Sequence, residues 1–451
     1  MCKIHRIVTL ACLSACAPMM PQASAPVRPH IVFLLADDLG WKDVGFHGSE
    51  ISTPHIDQLA REGARLEQFY VMPVCSPTRA CLMTGRYPIR YGLQTGVVRP
   101  WANHGLPLDE YLLPQALRAA GYVTAICGKW HLGHIGRDYL PTSRGFDHQY
   151  GHYNGAIEYF THMRDGGHDW NRDDEPVSEE GYATNLIATE CERLIAGHDK
   201  AKPLFLYVPF NAPHTPLEAP KEYIEKYAGI GKQNRRKFAA MITCMDDAIG
   251  RILHALDERG MREDSLVFFA SDNGGPVRGR GAGNNRPLRS GKHSLYEGGV
   301  RVPAVACWPG KIKAGSAVAG VIHMVDMHAT LLGLAGASTE GSKPLDGLDA
   351  WAVIAAGASS ARTEMLLNVE TSSGAVRVGD WKLVRNGDGY ELFDLANDPG
   401  EKVNLASKNR KKLAELKGRL AHYADAAVEA KVAGKLGKDF KSPKYWGHDD
   451  R

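Results

Sequence analysis

The pattern that most constrains this chain is a short apolar run ending in polar, ionisable residues, and it occurs four times. His30 to Ala36 leads into Asp37-Asp38, and Val123 to Cys127 leads into Gly128-Lys129-Trp130-His131. Leu204 to Val208 leads into Asn211-Ala212-Pro213-His214, and Ser265 to Ala270 leads into Ser271-Asp272-Asn273-Gly274-Gly275. Continuous apolar runs of this length read as strands buried on both faces, as in a parallel sheet. Helical segments lie between them: Thr53 to Gly63, with Pro54 at its start and Gly at its end, Leu112 to Ala120, Tyr182 to Ala196, and about Arg235 to Glu258. Strands alternating with helices predict an α/β fold, a large and mostly parallel doubly wound sheet sandwiched by helices. In such sheets functional groups gather at the carboxyl ends of the strands, which is where the polar residues fall.

At 451 residues, two structural units are the natural division. Near residue 370 the pattern changes. Ala375 to Val378, Trp381 to Arg385 and Tyr390 to Leu395 read as short strands joined by turns, which predicts a small antiparallel sheet. A charged helix from about Lys411 to Ala430 follows, and the tail after Gly437 is expected to be loosely packed. We therefore expect a large domain over 26–370 and a C-terminal subdomain over 371–451. The Gly- and Arg-rich stretch from Pro276 to Asn285 reads as a mobile loop.

The first 25 residues read as an export signal. Lys3, His5 and Arg6 precede an apolar run, Ile7 to Ala15, that is too short to span a bilayer. Leu13-Ser14-Ala15-Cys16 is similar to a bacterial lipobox, which implies lipidation at Cys16. Ala23-Ser24-Ala25 offers an ordinary cleavage site, disfavoured by Pro26. The expectation is an exported protein of the bacterial periplasm or outer membrane, touching a membrane only through that lipid. A net charge of +3 with no Lys/Arg block gives no reason to expect a nucleic-acid partner. Cysteines 75, 81, 127, 191, 244 and 307 remain after the leader, without a CxxC pair, so a zinc site is not expected and the spacing assigns no disulfide.

Cys75-Ser76-Pro77-Thr78-Arg79 opens a predicted helix, with Pro77 in its first turn and Gly85 just past its end. Cys75 then sits at the helix N-terminus, where free N–H groups and the dipole favour negative charge, and Arg79 returns to the same face one turn later. Asp37, Asp38, Asp272 and Asn273 supply oxygen ligands suited to a hard cation such as calcium or magnesium. Lys129 and His131, two apart in an extended segment, would point the same way. His214 and the Lys292-His293 pair complete the group. Singly, each has an ordinary reading: Asp-Asn-Gly-Gly is a turn sequence, and any one of 19 histidines is more often a surface or core residue. Their repetition at strand ends is what points to a site.

Together these residues resemble the type I sulfatases of the alkaline phosphatase superfamily, over nearly the whole mature chain. Cys75-Ser76-Pro77-Thr78-Arg79 with Thr84-Gly85-Arg86 looks like the signature in which Cys is oxidised to Cα-formylglycine by a maturation enzyme. Gly128-Lys129-Trp130-His131-Leu132-Gly133 is similar to the second signature, and Asp272-Asn273-Gly274-Gly275 and Lys292 match in order. Within the family, Pro287 to Arg301 and Lys343-Pro344-Leu345-Asp346-Gly347 look most like arylsulfatase B-type enzymes, the N-acetylgalactosamine-4-sulfatases. The resemblance implies an alkaline phosphatase-like fold and hydrolysis of a sulfated carbohydrate of the 4-sulfated galactose type.

It also implies roles. Asp37, Asp38, Asp272 and Asn273, with residue 75, would hold one calcium ion, magnesium being the alternative. One hydroxyl of a formylglycine hydrate at residue 75 would attack sulfur, and the second would allow sulfate to be expelled. Arg79 would position the hydrate, Lys129 and Lys292 would bind sulfate oxygens, His214 would protonate the leaving oxygen, and His131 would act as base or orienter. His104, His162 and Asn285 are the expected sugar contacts. Two other readings share much of this site: a phosphate or phosphonate monoester hydrolase of the same superfamily, and a glycan-binding protein without catalysis. The filled catalytic positions argue against the second.

Overall fold

A computed structural model of the protein describes residues 28–278, 282–437 and 440–448. The leader, with Cys16, lies outside the described residues. Five strands run side by side and parallel at the centre of a ten-stranded sheet: Ser265–Ser271, His30–Ala36, Leu204–Pro209, Val123–Lys129 and His148–His152. The four sequence-predicted strands are thus neighbours, and their carboxyl ends form one continuous edge. Backbone bonds extend the pairing past the strands, Asp37 N–H donating to Ala212 O at 3.0 Å and Asp272 N–H to Ala36 O at 3.0 Å.

Both faces of the sheet are covered, as the unbroken apolar runs require. In the His30–Ala36 strand, Ile31, Phe33 and Leu35 point into one core and Val32, Leu34 and Ala36 into the other, all with no exposure. This is the period-two alternation of a strand with two buried faces. The first core is closed by the helices Cys75–Thr84, Leu113–Ala119 and Met324–Ala335, the second by Pro54–Glu62, Ala183–Gly197 and Gln233–Glu258. Each fully buried Leu, Ile or Phe contributes about 1.5–3 kcal/mol, so the strand ends sit on a stiff platform. Ala64–Leu66, Ala304–Cys307 and Ser316–Val318 widen the sheet at one side; the innermost of them, Ala304–Cys307, pairs antiparallel with both its neighbours, which makes the sheet mixed.

The small antiparallel sheet has four strands, Glu364–Val369, Ser373–Val378, Trp381–Asn386 and Gly389–Asp394. Its first strand begins ahead of residue 370; the sequence does not mark it, since Met365-Leu366-Leu367 is too short an apolar run for periodicity to separate strand from helix. Leu416 and Leu420 of the helix Arg410–Asp425 are buried in the core that takes in this sheet. A third apolar cluster joins Tyr70, Leu295 and Val300 to Met365, Leu367, Val384 and Phe393, fixing the small sheet against the rest of the fold.

The tail is a correction. Beyond Gly437, Trp446 is fully buried, its indole N–H donating to Arg164 O at 2.9 Å and its ring meeting the edge of His134 at 5.3 Å. One large aromatic side chain outweighs the polar composition that suggested loose packing.

Candidate active site

Residues 75–84 form the expected helix. Cys75 is its first residue, 2% exposed, and Gly85 ends it in a left-handed conformation (φ 67°), its N–H donating to Cys81 O. Burial pushes the Cys75 thiol up. The hydroxyl of Ser76 donates to His131 O at 3.0 Å, tying this helix start to the segment after the Val123–Lys129 strand.

Arg79 is fully buried and spends its donors on the strand ends. Nε and Nη2 donate to Asp272 Oδ2 at 3.2 and 2.8 Å, Nη2 reaches Asp37 Oδ2 at 3.3 Å, and Nη1 donates to Lys129 O at 2.9 Å. It therefore positions two carboxylates and a strand terminus. The Lys129 ammonium bonds Asp37 Oδ2, and Lys292 Nζ lies 2.7 Å from Asp38 Oδ1. Burial would raise the Asp37 carboxyl, but Lys129, His214, Arg79 and Lys292 outweigh it and hold it below the usual range. Asp272 is pushed the other way by burial and by Asp37.

The donor set fits a hard divalent cation. Asp37 Oδ1 and Asn273 Oδ1 are buried and accept no hydrogen bond among the described residues, and leaving such oxygens unpaired is costly. Ligand atoms of Asp37, Cys75 and Asp272 lie within 4.8 Å of one another, as do those of Asp37, Asp38 and His214. Asn273 Nδ2 donates to Asp38 Oδ1 at 2.7 Å, which turns its own oxygen free for the cation. Gly274 has no alternative here: a Cβ would lie 1.8 Å from Gly298 O.

The two histidines have opposite presentations. His131 does not continue the strand. It turns into the left-handed region (φ 58°), so its side chain takes a direction of its own and not that of Lys129. Its Nε2 bonds the Val98 carbonyl at 3.0 Å, while buried Nδ1 has no partner among the described residues. A carbonyl only accepts, so Nε2 carries the proton and Nδ1 is a free acceptor. Burial, with Lys129 and Arg79 nearby, keeps the ring neutral. His214 Nδ1 donates to Thr215 O at 2.6 Å and its Nε2 lies 3.8 Å from Asp38 Oδ2. Burial and Lys292 lower His214 to about 4.

Above Lys292, Asp38 and His214 opens a cavity of about 750 Å³. Its walls include Arg289, His293 and Tyr296, together with Ser373 and Asn386 of the small sheet. The three expected sugar contacts fare differently. His162 is a core residue, 1% exposed and stacked on Trp170 at 4.6 Å, and it does not line this cavity. His104 is half-buried, lowered by burial and by Lys431, and also stands outside the lining. Asn285 is a brace: its oxygen accepts from Gly275 N–H at 2.9 Å and Trp41 N–H at 3.3 Å, and its amide donates to Gly275 O and Ser290 O. Ser373 and Asn386 were missed because only the folded chain brings the small sheet to the site; Arg289 and Tyr296 lie in the stretch that carried the subgroup resemblance.

Gly155 offers a test of the His131 arrangement. A Cβ there would come 2.4 Å from His131 Nε2 and displace the ring from Val98. Gly155→Ala is expected to lower kcat by about 10²-fold, the effect typical of a misplaced catalytic group, with the melting temperature little changed. Unchanged kcat would show that the ring needs no such seat.

Comparison with known proteins agrees with this geometry. The Sulfatase family matches residues 29–337, and the family described as N-sulphoglucosamine sulphohydrolase, C-terminal, matches residues 290–426. Arylsulfatase J of Mus musculus is 36% identical, covering 90% of this chain and 78% of its own length. N-acetylgalactosamine-6-sulfatase of Rattus norvegicus is 36% identical over 72% of this chain and 66% of its own. The crystal structure of Ps i-CgsB in complex with k-i-k-neocarrahexaose superposes with a TM-score of 0.84 at 30% identity, covering 90% of this chain and 95% of that one. With the signature helix, the laced strand ends and the free buried oxygens in place, the chain belongs to the sulfatase family, the sulfuric ester hydrolases.

Proposed function

We propose that the protein removes sulfate from a sulfated galactose-type carbohydrate, at the 4-position. The observation that carries this is the sugar-sized cavity whose floor is Lys292, Asp38 and His214 and whose walls mix polar groups such as Arg289, His293 and Asn386 with apolar surface from Val277, Leu295 and Tyr296. Relatives named for N-acetylgalactosamine support a galactose-type sugar, and a solved relative holding a neocarrahexaose supports a carbohydrate substrate. The 4-position rests on the arylsulfatase B-like stretches, and a relative named as a 6-sulfatase favours the 6-position as second reading. Sulfate release from galactose and N-acetylgalactosamine 4- and 6-sulfates and from glucosamine 6-sulfate tests both. The 4-sulfates are expected to react fastest; faster 6-sulfates would establish the second reading, and activity on glucosamine 6-sulfate alone would sink both.

The family implies a formylglycine at residue 75 and a divalent metal. We assign calcium, with magnesium as the alternative, held by Asp37, Asp38, Asp272, Asn273 and the oxidised residue 75, because an oxygen donor set suits a hard cation. When bound, the cation polarises a sulfate oxygen and favours the ionised nucleophile. Lys129 and Lys292 then turn their ammonium groups to the remaining sulfate oxygens, where negative charge grows during reaction. His131 Nδ1 accepts the proton of a hydroxyl on residue 75. His214 carries its transferable proton on Nε2 only as imidazolium, a state that the negative charge of a bound sulfate favours. It delivers that proton to the departing sugar oxygen.

Removing the metal leaves three buried carboxylates with less compensation. A chelator is therefore expected to lower the melting temperature, and added calcium to restore it in proportion to the logarithm of its concentration; a chelator-insensitive melt would contradict the assignment. Export and lipidation at Cys16 are part of the same proposal. Among the described residues no helix is long and apolar enough to cross a membrane. In a bacterial host, Cys16→Ala is expected to move the protein out of the membrane fraction.

A further inference from the structure

A second cavity, of about 900 Å³, adjoins the first. The two share Val277 and Ser290, so the seam between them is a single wall. Each volume lies in the range of about 300–1,000 Å³ that holds a small ligand, and one monosaccharide cannot occupy both. The second cavity is lined by Lys232, Arg235 and Arg286 and by Gln233, Asn284 and Asn285, with no Asp or Glu among the described residues of its lining. Arg235 is neutralised from outside by Asp43 and Glu50. Lys232 and Arg286 are exposed and form no ion pair among the described residues, so their charge faces the cavity mouth uncompensated. At the seam, Val277 is a 44% exposed apolar side chain, a surface suited to the C–H face of a sugar ring.

The connection to the sulfate site is rigid. Asn285 belongs to the wall of the second cavity, and its side chain holds Gly275, two residues past the metal-ligand pair Asp272-Asn273, and Ser290, two residues before Lys292. The second cavity is therefore fixed in register with the first.

We propose that this second cavity binds a further sulfated unit of the same glycan, with Lys232 and Arg286 receiving its anionic groups, so that the enzyme acts on oligosaccharides and on units within a chain in preference to free monosaccharides. This rests on the sulfated-carbohydrate reading above and extends it from one sugar to a segment of polymer. Long-range attraction between exposed cations and a polyanion is screened by salt, so the preference is strongest at low ionic strength.

The test uses the full-length matured enzyme, with 4-nitrophenyl sulfate, galactose 4- and 6-sulfates and a sulfated neocarrahexaose as substrates. The wild type is expected to show kcat/KM for the hexasaccharide at least about tenfold above that for the monosaccharides, and the ratio should shrink as salt is raised. Lys232→Glu with Arg286→Glu, neither of them in the catalytic machinery, should lower hexasaccharide kcat/KM by about tenfold or more, mainly through KM, while 4-nitrophenyl sulfate turnover stays unchanged. Equal wild-type values for hexasaccharide and monosaccharides, or an unchanged hexasaccharide value in the double variant, would overturn the second subsite and leave the sulfatase reading standing. Turnover of the aryl ester without release from any sugar would instead overturn the carbohydrate reading, and the subsite with it. Those two failures appear in different substrates and are distinguishable in the wild type.

Discussion

Cys75→Ser is expected to abolish turnover, by on the order of 10⁶-fold in kcat, the scale seen when a catalytic nucleophile is removed. The fold should survive, because the two side chains are nearly isosteric and position 75 is simply the first residue of a helix. The reason lies in the number of hydroxyls. The Cys75 position, once oxidised, offers a hydrate with two hydroxyls on one carbon, one to take sulfur and one to release it. A serine hydroxyl at the same place can attack but has no neighbour to expel sulfate. The expected product is therefore a stable sulfate ester on the substituted side chain, formed once per molecule and visible in the mass of the peptide carrying position 75. Multiple turnover by Cys75→Ser would show that residue 75 is not the nucleophile. An unmodified thiol at position 75 in active wild-type protein would show that no formylglycine hydrate is needed.

Arg79→Met is expected to cost about 3–5 kcal/mol of stability, the penalty for breaking a buried ion pair by removing one partner. Methionine fills most of the volume, so the cost is electrostatic. Asp272 and Asp37 would lose a fully buried guanidinium that now holds both, and the Lys129 carbonyl would lose its donor. Activity should fall with the same substitution, since the carboxylates proposed to hold the metal lose their orientation. A divalent cation compensates the same charges, so added calcium should recover more stability in Arg79→Met than in the wild type. Arg79→Lys should fall between, because a point charge cannot span the two carboxylates as a planar fork does. Thermal or denaturant melts with and without calcium measure all three. A variant as stable as the wild type would mean that the cluster is not charge-coupled as described.

Much of this site was legible in the sequence because each chemical group follows directly on an apolar strand. Asp37, Lys129, His214 and Asp272 could be placed at one sheet edge from four short runs, and that edge exists as four adjacent strands. The helix from Cys75 to Thr84 was equally legible, since Pro77 and Gly85 mark its ends. What sequence could not supply was direction. His131 departs from the strand into a left-handed turn, so two-residue spacing misjudged its orientation. The carboxylates of two distant strands that Arg79 pairs with, Asp37 and Asp272, could not be read from its place one turn after residue 75. His162 looked available for a sugar, but the ring of Trp170 covers it. Ser373 and Asn386 reach the cavity only because the small sheet docks through Tyr70, Leu295 and Phe393, a contact between segments far apart in the chain. Asn285 was singled out for a reason the structure revises: its side chain is consumed in bracing the loops that carry the site.

The most direct test compares one sulfate ester with the matching phosphate ester on the same alcohol, using protein whose residue 75 is shown by mass to be formylglycine. Both are tetrahedral anions that the same cation and lysines could bind, so the difference in kcat/KM reports what the site is built to transform. Hydrolysis of the sulfate ester is expected to be the faster, and to be lost in Cys75→Ser. Faster hydrolysis of the phosphate ester, or sulfate release that persists without residue 75, would contradict the account.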